Sequence, residues 1–538
     1  MAFATAHTMA LRGAEGHLID VQVDVSPGLV GTTLVGRADK SLSEARDRVR
    51  MAINNNCGSW PATKRVTILL APADLPKSGT HLDLAIALAV KAADTDPKGA
   101  VPFGPDLLAG SLFIGELSVS GGLRPVQGVL PMVMAAASHG ITRVFVPEPQ
   151  AHEAALVPGV TVFGMRSLAQ VVAQLQGEEV PDAPPVASPS ASRLASWRGE
   201  DRMSELDFVD LDGLAEVRYA VEVAAAGGHP VMLMGPRGSG KTSVAERIPS
   251  ILPDLTVEQS LEVSALHSVA GTLQGRGLVR RPPWFAPHHG ASGASVLGGG
   301  SGRVRPGQVS LAHHGVLFLD EFAHFRADVV EALRQPLESG EVTIARGEES
   351  ATYPARSLVV LAANPCPCGN YYAGGGALLD PCECPETARR HYGRKLSGPV
   401  VDRVDIWMEV APQGAHHGRD PLRPPEPSAA IRARVARARE VQAQRYSGRS
   451  WQLNSAVPGP VLTREWPVVP SAQALMDEAL STGEITRRGL TRVHRLAWTV
   501  ADCDGVEQPG DDEVRTALAL RATDAVHPLP ARILRRAS

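Results

Sequence analysis

One stretch, HPVMLMGPRGSGKTSVAERI (His229–Ile248), limits the possible folds more than any other part of the chain. Its apolar residues Val231–Met234 predict a buried strand. The pattern Gly-x-x-x-x-Gly-Lys-Thr follows from Gly235 to Thr242, before a helix-forming segment. Between a strand and a helix this is the pattern of a P-loop, whose glycines let backbone N–H groups turn inward around phosphates. The sequence therefore predicts an α/β domain that binds a nucleotide.

The residues of this loop have separable predicted roles. Lys241 is predicted to contact the β- and γ-phosphates of ATP, and Thr242 is predicted to ligate Mg²⁺. The N-terminus of the following helix carries a partial positive charge, which also favours the binding of phosphate. The predicted nucleotide-binding residues of the loop are Gly235, Pro236, Arg237, Gly238, Ser239, Gly240, Lys241, Thr242 and Ser243.

Two further apolar strands end in polar residues. GVLFLDEF (Gly315–Phe322) ends in Asp320, predicted to hold Mg²⁺ through water, and Glu321, predicted to polarise the attacking water. An Asp-Glu pair that caps the next helix is the alternative. The strand in SLVVLAAN is followed by Asn364. Because ligands of open α/β sheets bind at the carboxyl ends of strands, Asn364 is predicted to face the γ-phosphate and to help orient the water.

The length of 538 residues gives a prior of about three domains. Residues 1–178 alternate strand-like and helix-like segments, which predicts an α+β domain. Residues 179–204 are rich in Pro, Ala and Ser, which is typical of a linker. Residues 205–415 carry the P-loop and the other strands described above, whereas residues 416–538 have a helical pattern that predicts a lid.

The charge balance and hydropathy exclude some classes of protein. The 53 basic and 57 acidic residues nearly cancel, so contact with a nucleic acid requires a local basic surface. No apolar run reaches about 18 residues, and the N-terminus lacks the apolar core of a signal peptide. We therefore expect a cytoplasmic protein that does not associate with a membrane.

Four of the six cysteines form two Cys-x-Cys pairs, Cys366 with Cys368 and Cys382 with Cys384. Four thiolates can close a tetrahedral structural Zn²⁺ site. An iron–sulfur cluster, a redox pair and buried apolar thiols are the alternatives. The predicted purpose of the insertion 366–384 is mechanical, because metal binding supplies folding energy. It would fix Asn364 relative to the segment around Arg403.

The order of Lys241, Asp320-Glu321 and Asn364 on successive strands resembles AAA+ ATPases. The segments Ala286–Phe322, ANPCPCGNYY and LSGPVVDRVDI are similar to the magnesium-chelatase-like ATPases of the ComM (YifB) family. The N-terminal segments LVGRADKSLSEARDRVRMAINN and VTILLAPADLPKSGTHLDLAIALAV share this similarity. The resemblance implies a hexameric ATPase that drives branch migration of DNA when incoming DNA is integrated by recombination.

The resemblance also implies roles for two arginines. Arg403 corresponds to the arginine finger, which reaches the γ-phosphate held by a neighbouring subunit and stabilises transition-state charge. An ordinary ion pair with a flanking aspartate is the alternative for this residue. Arg488 resembles the sensor 2 arginine of the lid, with Arg487 and Arg492 as rival candidates.

The N-terminal domain resembles the protease domain of Lon. In this chain His81 occupies the position of the catalytic serine, and Val126 lies about where the catalytic lysine falls. Ser78 is close by but out of register. Without nucleophile and base, peptidase activity is not expected, and a role in assembly or DNA handling is favoured.

Three groups of residues are candidates for further contacts. Arg346 at the tip of a predicted hairpin, and Arg303 and Arg305 in the loop Leu297–Gln308, are DNA candidates, with a solvated tip as the alternative for Arg346. Such phosphate contacts give salt-dependent binding without sequence preference. The side chains within each of two histidine pairs are predicted to point apart and to be structural or inter-subunit residues. These pairs are His288-His289 and His313-His314. Four arginines of one predicted helix are expected to form a solvated face, with DNA contact as the lesser option; these are Arg432, Arg434, Arg437 and Arg439.

Two other functions fit the same ATPase core. One is the ATPase subunit of a magnesium chelatase, and the other is an AAA+ remodeller of proteins. The chelatase ATPase, as the resemblance goes, lacks the Lon-like domain and the Cys-x-Cys pairs, so the sequence favours the DNA motor.

Overall fold

The structure is a computed structural model of the chain. It describes residues 3–35, 40–73, 75, 79–94, 105–187, 205–211, 213–273, 277–300, 304–346, 349–371, 382–396, 398, 400–411 and 425–522.

The N-terminal part is built on a mixed seven-stranded sheet with the strand order β3-β4-β2-β1-β5-β8-β9. Its strands and helices are β1 (Phe3–Arg12), β2 (Glu15–Ser26), β3 (Gly31–Val35), α1 (Lys40–Asn56), β4 (Arg65–Ala71), α2 (Asp83–Ala93), α3 (Pro105–Ala109), β5 (Ser111–Phe113), β6 (Glu116–Leu117), β7 (Leu123–Arg124), α4 (Val129–Ser138), β8 (Arg143–Pro147), α5 (Ala151–Ala154), β9 (Thr161–Met165) and α6 (Leu168–Gln176).

Helix α2 forms the centre of this domain. Nearly all of its residues are buried, because its sequence is apolar on every side and it packs between strands β1 and β2 and helix α1. Strand β4, helix α2 and the hairpin β6–β7 followed by α4 agree with the strand-like and helix-like alternation predicted for residues 1–178. The start of the predicted linker, residues 179–187, forms neither helix nor strand in the described part of the chain.

The central part contains a parallel five-stranded sheet with the order β11-β14-β17-β10-β18. Its elements are α7 (Ala215–Gly227), β10 (Val231–Met234), α8 (Lys241–Ile251), α9 (Val257–Ala270), β11 (Trp284–Phe285), α10 (Gly293–Val296), β12 (Gly298–Gly299), β13 (Arg305–Pro306), α11 (Gln308–Leu311), β14 (Val316–Leu319), α12 (Ala327–Ala332), α13 (Arg334–Ser339), β15 (Glu341–Arg346), β16 (Glu349–Pro354), β17 (Leu358–Ala363), α14 (Glu386–Lys395) and β18 (Ile406–Glu409).

Both faces of this sheet are covered, as the continuous apolar runs of its strands require. Val231 and Leu233 face a core shared with α7, α8 and the C-terminal helices, whereas Met232 faces the core on the opposite side of the sheet. Parallel pairing brings the carboxyl ends of β10, β14 and β17 to one edge. That edge therefore carries the residues that follow these three strands.

The C-terminal part is helical, as predicted. Its helices are α15 (Ser428–Arg445), α16 (Gly459–Glu465), α17 (Pro470–Ser481), α18 (Arg487–Asp504) and α19 (Asp511–Arg521). Their apolar faces join the core of the sheet through α7 and α8. Among the described helices, none is both long enough and apolar enough to cross a bilayer.

A buried polar cluster joins the lid to the sheet. His229, before β10, lies with Nδ1 2.8 Å from Asp405 Oδ2 and with Nε2 2.7 Å from Thr499 Oγ1 of α18. Arg492 of α18 also forms an ion pair with Asp405. Burial by itself raises the pKa of Asp405, but the hydrogen bond with His229 and the nearby positive charges outweigh burial and lower the pKa to about 2. The cluster therefore fixes α18 against the start of β18.

We expect Asp405→Asn to destabilise the protein by about 3–5 kcal/mol, because it leaves buried cations without their carboxylate. Urea unfolding monitored by circular dichroism measures this loss, and Asp477→Asn on the exposed face of α17 is the control. The folded-state pKa is depressed, so this stabilisation is present above the unfolded pKa of about 3.9 and is lost as pH falls toward 2. A loss below about 1 kcal/mol for Asp405→Asn would contradict the predicted role of the cluster.

The N-terminal domain docks on the central part through α9. Ser268 of α9 donates a hydrogen bond from Oγ to Glu153 at 2.5 Å, and its carbonyl accepts from the Gly128 N–H at 3.2 Å. At a second contact, Arg12 at the end of β1 donates from Nε to the Ser350 carbonyl of β16 at 3.2 Å. The N-terminal domain thus touches both α9 and the β15–β16 hairpin.

Candidate functional site

The P-loop connects β10 to α8 as predicted. Gly238 and Gly240 have φ angles of 75° and 93°, in the left-handed region that favours glycine. Gly240 has no side chain to cap the helix that begins at Lys241, so the first N–H groups of α8 are free to bind phosphate. The Ser239 hydroxyl is buried and has no hydrogen-bond partner among the described residues. The loop therefore has the shape and the donors of a phosphate cradle.

Lys241 is folded back onto its own loop. Its Nζ donates to the carbonyls of Gly235 and Pro236 at 2.7 and 2.8 Å, and to Asn364 Oδ1 at 3.1 Å. Burial lowers the pKa of Lys241, and the charge of Asp320 opposes that shift. The ammonium group is thus held at the edge of the sheet, beside the amide that follows β17.

Thr242 and Asp320 form the next contact. The Thr242 hydroxyl donates to Asp320 Oδ2 at 3.0 Å, which brings two oxygen ligands of the kind Mg²⁺ prefers to the edge where Lys241 lies. Asp320 Oδ1 accepts the N–H of Glu321 at 2.8 Å. The short helix Phe322–His324 has no side-chain cap. The alternative interpretation of the Asp-Glu pair as a helix cap is therefore wrong.

Glu321 has two histidine neighbours that sequence reasoning missed. Its Oε2 lies 3.3 Å from Nδ1 of His289 and 3.4 Å from Nδ1 of His324. Adjacent histidines were expected to point apart, but the rings of His288 and His289 lie 4.1 Å apart, and those of His313 and His314 lie 3.9 Å apart. For the second pair the cause is a left-handed φ of 56° at His314. Both rings of that pair contact Glu262.

The four cysteines come together beside this site. Sγ of Cys366 lies 3.3 Å from Sγ of Cys368 and 3.7 Å from that of Cys382, and all four sulfurs, including Cys384, lie within 4.8 Å of one another. Four sulfurs at about 2.3 Å from one tetrahedral metal ion lie about 3.8 Å from each other. The cluster therefore has the dimensions of a metal site.

The cysteine cluster also touches the P-loop. The N–H of Arg237 donates to the carbonyl of Gly369 at 3.3 Å, and Gly369 directly follows Cys368. Gly369 has a φ angle of 84°, and a Cβ at this position would lie 2.7 Å from Cγ of Arg237. The segment held by the cysteines is thus one wall of the P-loop.

Arg403 and Arg488 do not join this site within one chain. Asp405 pairs with Pro230 at the start of β10, so the segment of Arg403 lies at the opposite edge of the sheet from the P-loop. Arg403 is buried and forms an ion pair with Glu338. Burial lowers the pKa of Arg403, and the nearby charges of Arg334, Arg488 and Arg492 lower it further, which indicates a cluster of arginines at this edge.

The two rivals of Arg488 for the sensor 2 role, Arg487 and Arg492, differ in their surroundings. Arg492 donates to the carbonyl of Arg403 at 2.6 Å and also contacts Asp405, so it is used within the chain. Arg487 and Arg488 are exposed at the start of α18. Arg488 stays the predicted sensor 2 arginine, with the exposed Arg487 as its rival.

The structure describes only part of the candidate DNA-contacting residues. The predicted hairpin is present as β15–β16, but the side chain of Arg346 lies outside the described residues, as does all of Arg303. Arg305 is exposed on β13. All three assignments stay predictions.

The prediction of a solvated arginine face on α15 is wrong for two of its four residues. Arg434 is paired with Glu222 and Glu426. Arg439 is half-buried and donates to the carbonyl of Ala225 near the end of α7. The two arginines tie the lid to α7, since Glu222 and Ala225 both lie on that helix.

The position of the Lon serine is filled by a packed histidine. His81 is buried, with Nε2 2.7 Å from the Met9 carbonyl of β1. The N–H of Val126 donates to Gln150 at 2.9 Å, and Ser78 lies outside the described residues. His81 therefore has a structural contact in place of a catalytic one.

The fold and site together define a P-loop protein of the AAA+ class. A parallel sheet carries the P-loop lysine, the Asp-Glu pair and the asparagine along one edge, and a helical lid covers the sheet. The chain matches family models described as magnesium chelatase subunit ChlI at residues 207–417, subunit ChlI of Mg-chelatase at 21–150, and the ChlI C-terminal part at 425–521. These matches agree with the α/β fold class predicted from the sequence.

Similar proteins extend over nearly the whole chain. An uncharacterized protein of Mycobacterium tuberculosis is 44% identical over 98% of this chain and 100% of its own length. Competence protein ComM of Haemophilus influenzae is 34% identical, and uncharacterized protein YifB of Escherichia coli is 35% identical, each over 97% of this chain and 98% of its own length. The chain therefore belongs to the ComM/YifB family of magnesium-chelatase-like AAA+ ATPases, as its sequence motifs predicted.

Proposed function

We propose that this chain is an ATP-hydrolysing motor that assembles as a hexamer in the cytoplasm and promotes branch migration of DNA. It would act in homologous recombination, including natural transformation. The observation that carries the proposal is the divided site: Lys241, Asp320 and Asn364 meet at one edge of the sheet, and Arg403 lies at the other. Such a site is completed by a neighbouring copy, as a ring of subunits provides.

The DNA part of the proposal has separate support. A relative that matches this chain over nearly its full length is named a competence protein. The β15–β16 hairpin follows α13 and precedes β17 in the ATPase core, Val342 and Tyr353 pack its base into that core, and its β16 strand contacts the N-terminal domain. A hairpin linked to the core by two short connections can move with the nucleotide state. Arg303, Arg305 and Arg346 are the proposed phosphate contacts on DNA.

Each residue of the site has a proposed part in hydrolysis. Mg²⁺, held by Thr242 and by Asp320 through water, neutralises phosphate charge when it is bound. Lys241 exchanges its carbonyl partners for the β- and γ-phosphates. Glu321 accepts a proton from the water whose oxygen bonds to the γ-phosphorus, while the bond from that phosphorus to the ADP oxygen breaks. Asn364 orients the water, and Arg403 of a neighbouring copy stabilises the charge that develops.

The four cysteines are proposed to hold structural Zn²⁺. We expect the purified protein to contain about one zinc ion per chain, and Cys384→Ser to lose it and to unfold at a lower temperature. Elemental analysis and thermal unfolding measure the two effects. Cys57→Ser, at a half-buried cysteine of the N-terminal domain, is the matched control. Wild-type protein without zinc, or Cys384→Ser with unchanged zinc, contradicts this assignment.

The test of the DNA assignment is ATP hydrolysis without DNA, with single-stranded DNA and with a four-way junction. We expect DNA to increase hydrolysis several-fold, and Arg346→Ala to reduce this stimulation and the salt dependence of DNA binding. Arg464→Ala, an exposed arginine of α16, is the control. Hydrolysis that is indifferent to DNA over a range of salt favours the alternatives, a protein remodeller or a chelatase-type ATPase subunit.

A further inference from the structure

Glu321 lies in a strained and open position. Its φ angle of 51° is unusual for a residue with a side chain, and about half of its side chain is exposed. An exposed carboxylate samples several rotamers, and few of them point at the attacking water. A general base needs hydrogen-bond reach to the proton that it accepts. Some part of the structure must therefore restrain this side chain.

Two imidazole rings converge on one carboxylate oxygen. Oε2 of Glu321 lies 3.3 Å from Nδ1 of His289 and 3.4 Å from Nδ1 of His324. His324 is three residues further along the same turn, whereas His289 comes from the segment after β11. Since β11 pairs in parallel with β14, that segment emerges at the same edge as Glu321. The contact with His289 therefore joins two neighbouring strands across the site.

The histidine rings are supported by their neighbours. The rings of His289 and His324 lie 5.7 Å apart, edge to face, and that of His324 lies 6.4 Å from the ring of Tyr392. Tyr392 is buried. Lys241, Asp320 and Arg237 are among the charged groups around this edge. Two imidazole nitrogens near one carboxylate oxygen favour a single orientation of the Glu321 side chain.

We propose that His289 is a positioning residue that, together with His324, holds the Glu321 carboxylate in the orientation needed to activate water. His324 donates its Nδ1 proton to Oε2, and Nδ1 of His289 lies within ion-pair distance of the same oxygen, which leaves Oε1 to accept the proton of the water. The inference rests on the proposed function, since it takes Glu321 as the base in ATP hydrolysis. The adjacent pair His288-His289 then belongs to the edge of the sheet that carries Lys241 and Glu321.

The test compares three variants at one position. We expect His289→Leu to lower kcat for ATP by about 10–100-fold, because a small misplacement of a catalytic group is costly. The KM and the affinity for a fluorescent ATP analogue should change by less than about two-fold, since the contacts of His289 in the described part of the chain are with Glu321 and with neighbouring rings. His289→Asn should restore most of the activity because its Nδ2 occupies the place of Nδ1. His289→Gln places its donor at the position of Nε2 and should stay impaired.

Two controls separate positioning from folding. His391→Ala, an exposed histidine of α14, should behave as the wild type. In a Glu321→Gln background, His289→Leu should have no further effect on kcat, because it acts through the carboxylate. Equal activity of the Asn and Gln variants, a normal kcat for His289→Leu, or an additive effect in the double variant overturns the inference. Wild-type protein without ATP hydrolysis refutes the proposed function itself.

Discussion

Glu321→Gln is expected to lower ATP turnover by about 10²–10⁴-fold and to leave nucleotide binding intact. Glutamine has nearly the same shape, but its amide cannot accept a proton from the attacking water. The phosphate cradle of Gly238, Gly240 and Lys241 is formed without Glu321. Steady-state hydrolysis gives kcat, and titration with a fluorescent ATP analogue gives the dissociation constant.

Glu440→Gln is the matched control, because Glu440 is an exposed glutamate of α15 that is remote in sequence from the site. The control should keep the wild-type kcat. If Glu321→Gln retained more than about a tenth of the wild-type kcat, the assignment of this residue as the base would be wrong. Loss of nucleotide binding in Glu321→Gln would show that the variant damages the cradle rather than the chemical step.

Arg403→Ala is expected to lower turnover by about 10³-fold or more, the range measured for arginine fingers supplied by a neighbouring protein. The loss should not be repaired by more ATP, because Arg403 lies at the opposite edge of the sheet from the P-loop of its own chain. Arg403→Lys keeps the charge but not the planar fork, so it should recover little activity. Hydrolysis and nucleotide binding are measured as for Glu321→Gln.

Mixing of inactive variants tests whether Arg403 acts on a neighbour. Lys241→Ala subunits retain Arg403, and Arg403→Ala subunits retain the P-loop. A mixed ring therefore contains complete sites wherever the first kind of subunit faces the second. We expect activity to reappear on mixing, whereas an arginine that acts within its own chain gives no recovery. Since Arg403 is buried and paired with Glu338, thermal unfolding of each variant is needed alongside.

The strands of the ATPase core could be predicted from the sequence, because each is a short apolar run that ends at a polar residue. Val231–Met234 is the strand β10 with the predicted bounds, and Asn364 follows β17 next to Lys241 as expected. The two Cys-x-Cys pairs in the sequence likewise predicted that the four cysteines lie in one cluster, as they do. In these cases spacing along the chain determines spacing in the structure.

The contacts that could not be predicted join residues that are far apart in sequence. His289 follows β11, a strand of two residues that gives no recognisable pattern, so nothing in the sequence placed it beside Glu321. Arg434 lies 212 positions from Glu222, its partner on α7. One arginine on a helix looks like any other, and only tertiary packing decides which arginines are buried.

The most direct measurement is branch migration of a labelled four-way junction by the purified protein. We predict conversion of the junction to separated duplexes in the presence of ATP and Mg²⁺. We predict no conversion with a non-hydrolysable analogue or with Lys241→Ala, which lacks the phosphate-binding ammonium group. Wild-type protein that binds the junction and hydrolyses ATP, yet leaves the junction unmoved at all salt concentrations, would contradict the proposed DNA motor.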